Sequence, residues 1–217
     1  MKLLIKLLKS VLPESLYRFL SIQYVKFIYR YIRRPLRVLE TSKAKPRRIR
    51  ENFFEKYCQG KGLDVGYGGD PITKECRGWD IEDGDGQLLQ GIEEGEFDFV
   101  YSSHLLEHMN NAKIAIKNWW RAVKPGGYLI LYLPDRELYE RKKTLPSRWN
   151  PEHKRFFLLD RDEHPDTVGV IPLIKRCLSG YEIIEAKICD EGYRIVSDDV
   201  QSEGEYSIEV VIKKKNG

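Results

Sequence analysis

The segment Gly62–Asp70 constrains this chain most, because a short apolar run ends there in an acid and a group of glycines. Its leucine and valine suit a buried strand, whereas Gly66, Gly68 and Gly69 allow the backbone to turn sharply and to approach a ligand closely. Such a turn, at the carboxyl end of the first strand of an open α/β sheet, is typical of a cofactor site. Tight turns of the same composition also occur without a ligand, so the turn alone does not establish a cofactor site.

Apolar runs alternate with helical patterns along most of the chain. The runs that predict strands are 62–65, 78–81, 97–102, 128–134, 181–189 and 206–213. Helical spacing of apolar residues lies between several of them, at 105–123 and at 162–178. Strands that alternate with helices predict a mostly parallel sheet covered on both faces, and the last two runs predict an antiparallel pair.

The composition is that of one globular core with an appendage. The chain has 217 residues, of which 41% are hydrophobic and 32% charged. Its four cysteines are scattered without a Cys-x-x-Cys pair, and no histidine lies at metal-ligand spacing from them. We therefore expect no disulfide framework, no metal site and a reducing, cytoplasmic setting.

Basic residues are concentrated at the start of the chain. Residues 1–50 carry fourteen lysines and arginines against Glu14 and Glu40, a net charge of +12, and the remainder carries −8. The spacing of leucines and lysines predicts one basic amphipathic helix near residues 2–11 and a second from about Pro13 to Arg34. We expect residues 1–50 to form a helical extension and residues 51–217 to form the main domain.

Three interpretations of this basic extension remain open. An amphipathic helix at an anionic membrane surface suits its many cations, each of which contributes on the order of 1 kcal/mol. A helical cap packed on the domain is compatible with that interpretation. Nucleic acid is the rival anion, suggested by the basic run 43–50, although no nucleic-acid-binding motif is present. The charges argue against a membrane span. Lys6 and Lys9 interrupt the apolar region and no small-residue cleavage site follows, which argues against a signal peptide.

Five segments resemble, in their order and spacing, the class I S-adenosylmethionine-dependent methyltransferases. They are Leu-Asp-Val-Gly-Tyr-Gly-Gly (63–69), Gly-Trp-Asp-Ile (78–81), Asp-Gly-Asp-Gly-Gln (83–87), Glu-Phe-Asp-Phe-Val-Tyr-Ser-Ser-His-Leu-Leu-Glu-His (96–108) and Val-Lys-Pro-Gly-Gly-Tyr-Leu-Ile-Leu (123–131). The resemblance implies a three-layer α/β/α Rossmann-like sheet, mostly parallel, that ends in an antiparallel strand pair. It also implies S-adenosylmethionine as the cofactor.

The resemblance assigns the cofactor site residue by residue. Asp64 suits the amine of the cofactor or the amides of the turn, and Asp80 suits the two ribose hydroxyls. The acidic loop that follows is expected to meet adenine. The remaining residues of the predicted cofactor site are Gly66, Tyr67, Gly68 and Gly69 in the turn, Ile81, then Asp85, Gly86 and Gln87 in the acidic loop, and Ser102.

Two departures from the family pattern stand out. Asp70 replaces the usual third glycine, so the turn is expected to exit differently. Only four residues separate Asp80 from Asp85, where the family has a helix between two strands. The third strand of the sheet is therefore predicted to be short or absent.

Histidines are the candidates for assisting methyl transfer. The reaction is an in-line displacement that depends on positioning, and a base is added when the nucleophile is a hydroxyl. His104 follows the apolar run 97–102, at the edge where ligands bind in such sheets, whereas His108 is expected to be a packing residue. We predict catalytic roles for His104 and for His153.

The segment 134–157 predicts an acceptor site at the same end of the fold. An aromatic side chain for a sugar face and donors for its oxygens lie here, and the alternative is a lid packed on itself. The Asn-Pro-x-His-Lys run at 150–154 resembles a subgroup of these enzymes linked to bacterial surface polysaccharide (LPS/O-antigen) biosynthesis. The predicted acceptor-binding residues are Tyr139, Arg148, Trp149, Asn150 and Lys154.

Together these features predict a methyltransferase that O-methylates a glycan or glycolipid at the inner face of the cell membrane. The alternatives are a methyltransferase acting on RNA or a small molecule, and a methyltransferase-like module that binds without turnover. The sequence does not indicate the oligomeric state.

Overall fold

The computed structural model describes Pro13, residues 39–197 and residues 200–216. The chain divides into two units, Met1–Leu39 and Glu40–Gly217. The two predicted amphipathic helices fall in the first unit and, apart from Pro13, lie outside the described residues. The basic run 43–50 is part of the second unit, where it is helical.

The second unit alternates strands and helices over most of its length. Its described elements are α1 (Glu40–Arg50), α2 (Phe53–Tyr57), β1 (Gly62–Val65), β2 (Arg77–Trp79), β3 (Phe97–Ser103), α3 (Ala112–Ala122), β4 (Val123–Pro134), β5 (Phe156–Leu158), β6 (Thr167–Gly169), α4 (Val170–Cys177), β7 (Tyr181–Cys189) and β8 (Ser207–Lys214). A 3₁₀-helix spans Leu106–His108 and a π-helix spans Arg136–Glu140.

The main sheet has six strands in the order β2-β1-β3-β4-β8-β7. Strands β1 to β4 pair in parallel, and β8 pairs antiparallel with both β4 and β7. The predicted parallel sheet with an antiparallel C-terminal pair is thus confirmed. Among the described strands β2 forms the edge of the sheet, as expected if the third strand of the family is missing. Strands β5 and β6 form a small parallel sheet of their own.

Helices cover both faces of the main sheet. Along β4, Leu129 and Leu131 belong to one apolar cluster while Ile130 and Tyr132 belong to another, since successive side chains point to opposite faces. The first cluster includes α3 and α4, and the second includes α1 and α2. This is the predicted three-layer architecture.

Two predicted helices are shorter than their apolar patterns. The pattern at 105–123 contains α3, which begins only after Asn111, because the side chain of Asn111 accepts hydrogen bonds from the amides of Lys113 and Ile114. The pattern at 162–178 contains α4 in its second half, because residues 167–169 pair with β5 as strand β6. Both tryptophans of α3 are buried in the core.

Helix α1 is fixed to the sheet by buried ion pairs. Arg48 and Glu209 are both fully buried, and their side chains lie 2.7 Å apart. Arg47 lies 2.8 Å from Glu209 and 2.9 Å from Glu205. Burial opposes the charge on Glu209, but the two arginines outweigh it and lower the pKa of its carboxyl group. Two guanidinium groups of the basic run 43–50 are therefore held inside the protein.

Candidate active site

The glycine turn follows β1 directly. Gly66, Gly68 and Gly69 all have positive φ, at 75°, 62° and 85°. The Gly66 amide donates to the carbonyl of Trp79 at 2.7 Å, which joins the turn to β2. A Cβ on Gly66 would lie 2.7 Å from a terminal methyl of Leu105, so a larger residue there would displace that side chain. The turn therefore needs glycine for both its conformation and its packing.

Asp64 lies beneath this turn and is fully buried. Its Oδ2 accepts a hydrogen bond from the Ile72 amide at 2.8 Å, whereas no described residue donates to its Oδ1. Burial raises the pKa of Asp64 to about 8, against the opposing effect of the Ile72 amide. A buried carboxylate oxygen without a donor is costly, and it suits a ligand that brings an amine.

The acidic loop after β2 is tied to α3. Trp119 donates its Nε1–H to the Gly86 carbonyl at 2.7 Å, and the Gln87 Oε1 accepts from the amide of Asn111 at 2.6 Å. The Asp85 carboxylate is exposed, and one of its oxygens accepts from the Gln87 amide at 2.8 Å. The loop backbone is thus held in place while its acidic side chain faces outward.

The other predicted cofactor residues border the same turn. Asp80 is half-buried at the end of β2, and Ile81 beside it is 74% exposed, which is unusual for a large apolar side chain. The Tyr67 ring packs over Gly78, where a Cβ would lie 2.7 Å from the ring. Ser102 is fully buried and donates its hydroxyl to the Val65 carbonyl at 3.0 Å, so this side chain joins β3 to β1.

These features fit S-adenosylmethionine. The glycine turn offers a backbone cradle, Asp64 offers an unsatisfied oxygen, and Asp80 stands at the carboxyl end of the neighbouring strand. When bound, the cofactor supplies an electrophilic methyl group carried on sulfur.

His104 follows β3 in a strained conformation. Its φ is 47°, a region that costs energy for any residue except glycine and that is common at functional sites. Its Nε2 lies 2.8 Å from the hydroxyl oxygen of Ser207, and its ring packs among Tyr132, Tyr139 and Tyr206 with centroids 5.7–6.0 Å away. His104 is thus held at the carboxyl edge of the sheet, as the sequence predicted.

A second group of titratable side chains lies beside His104. The Glu107 Oε1 lies 3.8 Å from the His104 Nδ1, 4.0 Å from the His108 Nε2 and 3.9 Å from the His153 Nε2. Glu107 is fully buried, and no described residue donates a hydrogen bond to either of its oxygens. Burial raises the pKa of Glu107 to about 7, although His153 opposes this shift. Burial also lowers the pKa of His108 to about 4.

Local hydrogen bonds bring His153 to this position. The Lys154 amide donates to the Glu107 carbonyl at 2.8 Å, and the Arg155 guanidinium donates to the Leu106 carbonyl at 2.8 Å. The His153 Nδ1 lies 2.9 Å from the Glu140 Oε1. The segment after residue 150 is therefore fastened along the 3₁₀-helix, with its histidine facing inward.

Of the predicted acceptor residues, one is buried beside His153 and the others lie nearer the protein surface. Tyr139 is buried and stacks on His153, with ring centroids 5.6 Å apart. Trp149 is half-buried at the rim, with the Arg148 guanidinium 5.8 Å from its ring. Asn150 bonds instead to the Glu152 amide through its side chain.

The Lys154 ammonium contacts the Asn110 side chain. The predicted self-packed lid describes Lys154 and Asn150 better than direct acceptor binding does.

Sequence reasoning gave no role to three residues of this site. Glu107 was visible from its spacing, since it lies three residues after His104 and directly before His108. Glu140 and Tyr206 carry no local signal, because the π-helix and the start of β8 bring them in from distant parts of the chain.

Comparisons with known proteins agree with this geometry. The sequence profile of a methyltransferase-domain family matches residues 70–131. A SAM-dependent methyltransferase from Thermotoga maritima, described as a possible histamine N-methyltransferase, is 20% identical, with a TM-score of 0.54 over 92% of this chain and 97% of that one. A SAM-dependent methyltransferase from Archaeoglobus fulgidus is 17% identical, with a TM-score of 0.52 over 81% and 96%.

A third similar structure belongs to an enzyme that is named for a different reaction. The [4+2]-cyclase SpnF is 13% identical, with a TM-score of 0.51 over 78% of this chain and 81% of that one. Identities this low establish the fold, and one fold hosts several reactions. No protein with a curated description matches the chain significantly.

The matched methyltransferase domain and the fold support an S-adenosylmethionine-dependent methyltransferase, with S-adenosylmethionine as its cofactor. Among the described residues, no helix is both long and apolar enough to cross a membrane.

Proposed function

We propose that this methyltransferase O-methylates a glycan or glycolipid whose hydroxyl is held beside His104. The observation that carries the proposal is the position of His104, in a left-handed conformation at the end of β3 and among three tyrosine rings. Tyr132 and Tyr206 are buried and donate their hydroxyls to Glu205 and Glu40, so these rings hold the His104 ring in position to face an acceptor hydroxyl.

We assign the methyl donor and the acceptor to different parts of the site. In this proposal the glycine turn and Asp64 would hold the methyl donor, and the segment 136–155 would hold the acceptor. When bound, the cofactor would supply its methyl group to the acceptor oxygen, and His104 would take the hydroxyl proton. The exposed Arg148 and the half-buried Trp149 would be available to contact a longer glycan.

The membrane part of the proposal rests on the basic residues 1–38 of the sequence. Nine lysines and arginines lie there with Glu14 as the single acid. These charges would keep the enzyme at the anionic inner surface where lipid-linked glycans are assembled. The rival proposal of nucleic-acid binding gains little from the run 43–50, because Arg47 and Arg48 are buried against glutamates.

Incubation with labelled S-adenosylmethionine and fractionated glycans, glycolipids and RNA tests the proposal. Label is expected in a glycan or glycolipid fraction, and His104→Ala is expected to lower kcat about 10²- to 10⁴-fold with cofactor affinity unchanged. Label in RNA alone, or full activity of His104→Ala, would contradict it. Salt-sensitive binding to anionic liposomes that is lost on deletion of residues 1–38 tests the membrane part, and indifference to lipid charge would refute it.

A further inference from the structure

Three of the four histidines in the chain meet at one buried carboxylate. Two of them, His108 and His153, point their Nε2 atoms at the Glu107 Oε1 from 4.0 and 3.9 Å. One potential ligand atom from each of Glu107, His108 and His153 lies within 4.8 Å of the others. This cluster is separate from the glycine turn, which holds the methyl donor.

The carboxyl group of Glu107 is buried without a side-chain donor among the described residues. Both of its oxygens are buried, and no described side chain donates a hydrogen bond to them. A buried carboxylate without donors is costly, and the alternative of a protonated carboxyl group also leaves its hydroxyl without an acceptor. A cation among the three side chains would remove this cost.

His153 is oriented as metal-ligating histidines usually are. A ligating histidine normally donates its other N–H to a carboxylate or a carbonyl, which fixes the ring and turns the free lone pair toward the metal. The His153 Nδ1 lies 2.9 Å from Glu140, and Glu140 is held in turn by the Ser147 hydroxyl and the Arg148 amide.

We propose that Glu107, His108 and His153 bind one divalent transition-metal ion, with Zn²⁺ as the type that this ligand set suits. Two histidines and a glutamate are a known catalytic zinc set, with bonds of about 2.0–2.2 Å that place tetrahedral ligand atoms about 3.3 Å apart. The Glu107–histidine separations are 3.9 and 4.0 Å and the three ligand atoms lie within 4.8 Å of one another, so metal binding needs an inward movement of up to about 1.5 Å.

Three protein ligands leave the fourth position open. An acceptor hydroxyl bound there would lose its proton more easily, because a metal ion lowers the pKa of a coordinated oxygen. The His104 Nδ1 lies 3.8 Å from the same Glu107 oxygen and is placed to take that proton. This use of the metal rests on the proposed function, whereas metal binding itself does not.

Cobalt is the most direct probe of the site. The full-length chain is stripped of metal with EDTA, dialysed and titrated with Co²⁺ in the absence of cofactor and acceptor. We expect one Co²⁺ per chain, with a visible d–d absorption band and without the near-ultraviolet thiolate band that cysteine ligands would give. One equivalent of Zn²⁺ should displace it.

Variants assign the ligands. Glu107→Gln, His108→Ala and His153→Ala should each weaken Co²⁺ binding at least about 100-fold, and Glu140→Gln, which acts through His153, about 10- to 100-fold. His164→Ala removes the fourth histidine, which is exposed, and should bind Co²⁺ as the wild type does. Near-ultraviolet circular dichroism checks that each variant is folded. If an alanine variant does not fold, the isosteric Glu107→Gln variant still tests the site.

The outcomes separate this proposal from the proposed function. A folded wild type that binds no stoichiometric Co²⁺ overturns the metal site, whatever acceptor is methylated. Binding that is undiminished in Glu107→Gln and His153→Ala overturns the ligand assignment. Stoichiometric binding lost in those variants supports the site even if the acceptor proves not to be a glycan.

Discussion

Asp70 accepts two hydrogen bonds from Ser42, one from its amide at 2.9 Å and one from its hydroxyl at 2.5 Å. Ser42 lies in the first turn of α1, where the amides have no partner within the helix. Asp70 therefore caps α1 from the glycine turn. This gives a physical reason for the acid that replaces the third glycine of the family pattern, since a glycine could not hold the helix.

Removing this cap should loosen α1. Asp70→Ala is expected to lower the free energy of unfolding by about 1 kcal/mol, as for other lost helix caps. Urea unfolding measures the change, and Glu203→Ala, at an exposed acid, is the control that should stay within about 0.5 kcal/mol. Equal stabilities of Asp70→Ala and the wild type would show that α1 does not depend on the contact.

The buried ion pairs of α1 should contribute more to the free energy of unfolding than the Asp70 cap does. Glu209→Gln leaves Arg47 and Arg48 without their shared carboxylate, and breaking a buried pair in this way costs about 3–5 kcal/mol. The matched control is Glu191→Gln, which removes the exposed partner of Arg50 and should cost less than about 1 kcal/mol. Similar midpoints for the two variants in urea would contradict this assignment.

Alanine variants of Gly66 and Gly91 distinguish the energetic cost of backbone strain from the loss of cofactor binding. Both have positive φ, but a Cβ on Gly66 would meet Leu105 at 2.7 Å, whereas a Cβ on Gly91 would meet nothing within 4 Å. Each alanine substitution should cost about 1–2 kcal/mol of stability. Gly66→Ala should in addition abolish S-adenosylmethionine binding, measured by calorimetry, and Gly91→Ala should retain it. Cofactor binding retained by folded Gly66→Ala would contradict the cradle.

Asp64 gives the stability a defined pH dependence. Its pKa is raised from about 4 in the unfolded chain to about 8 in the folded one, so the folded state binds the extra proton between these values. The free energy of unfolding of the cofactor-free protein should therefore decrease as pH rises from 4 to 8, by at most about 1.4 kcal/mol per pH unit from this group.

Asp64→Asn should lack this contribution. The stability difference between the variant and the wild type should then grow with pH across the same range, which urea unfolding at pH 5, 6 and 7.5 measures. Parallel profiles for the two proteins would show that Asp64 is ionised in both states.

The sheet was predictable because its signals are local. The bounds of β7 coincide with the predicted run 181–189, and the Lys-Pro-Gly-Gly turn lies at the start of β4, directly after α3. Gly127 is required there, since a Cβ would lie 2.4 Å from the Asp98 carbonyl. The helical patterns were less reliable, because the cap at Asn111 is a side-chain hydrogen bond that apolar spacing does not report.

The active-site cluster was predictable only in part. His104 and Glu107 follow a recognised strand, so the sequence places them at the correct edge of the sheet. The contact between Glu107 and His153 depends on backbone hydrogen bonds across more than forty residues, such as that from Lys154 to Glu107. The role of Asp70 was also hidden, because Ser42 lies in a segment whose charge pattern indicated an extension separate from the domain.

Calorimetric titration with S-adenosylmethionine tests the central claim most directly, because it needs no knowledge of the acceptor. The account predicts one cofactor bound per wild-type chain, with binding lost in Asp80→Ala and retained in the control Glu94→Ala, at an exposed acid outside the site. A folded wild-type chain that binds no S-adenosylmethionine would contradict the account and would favour a binding or scaffold role for this fold.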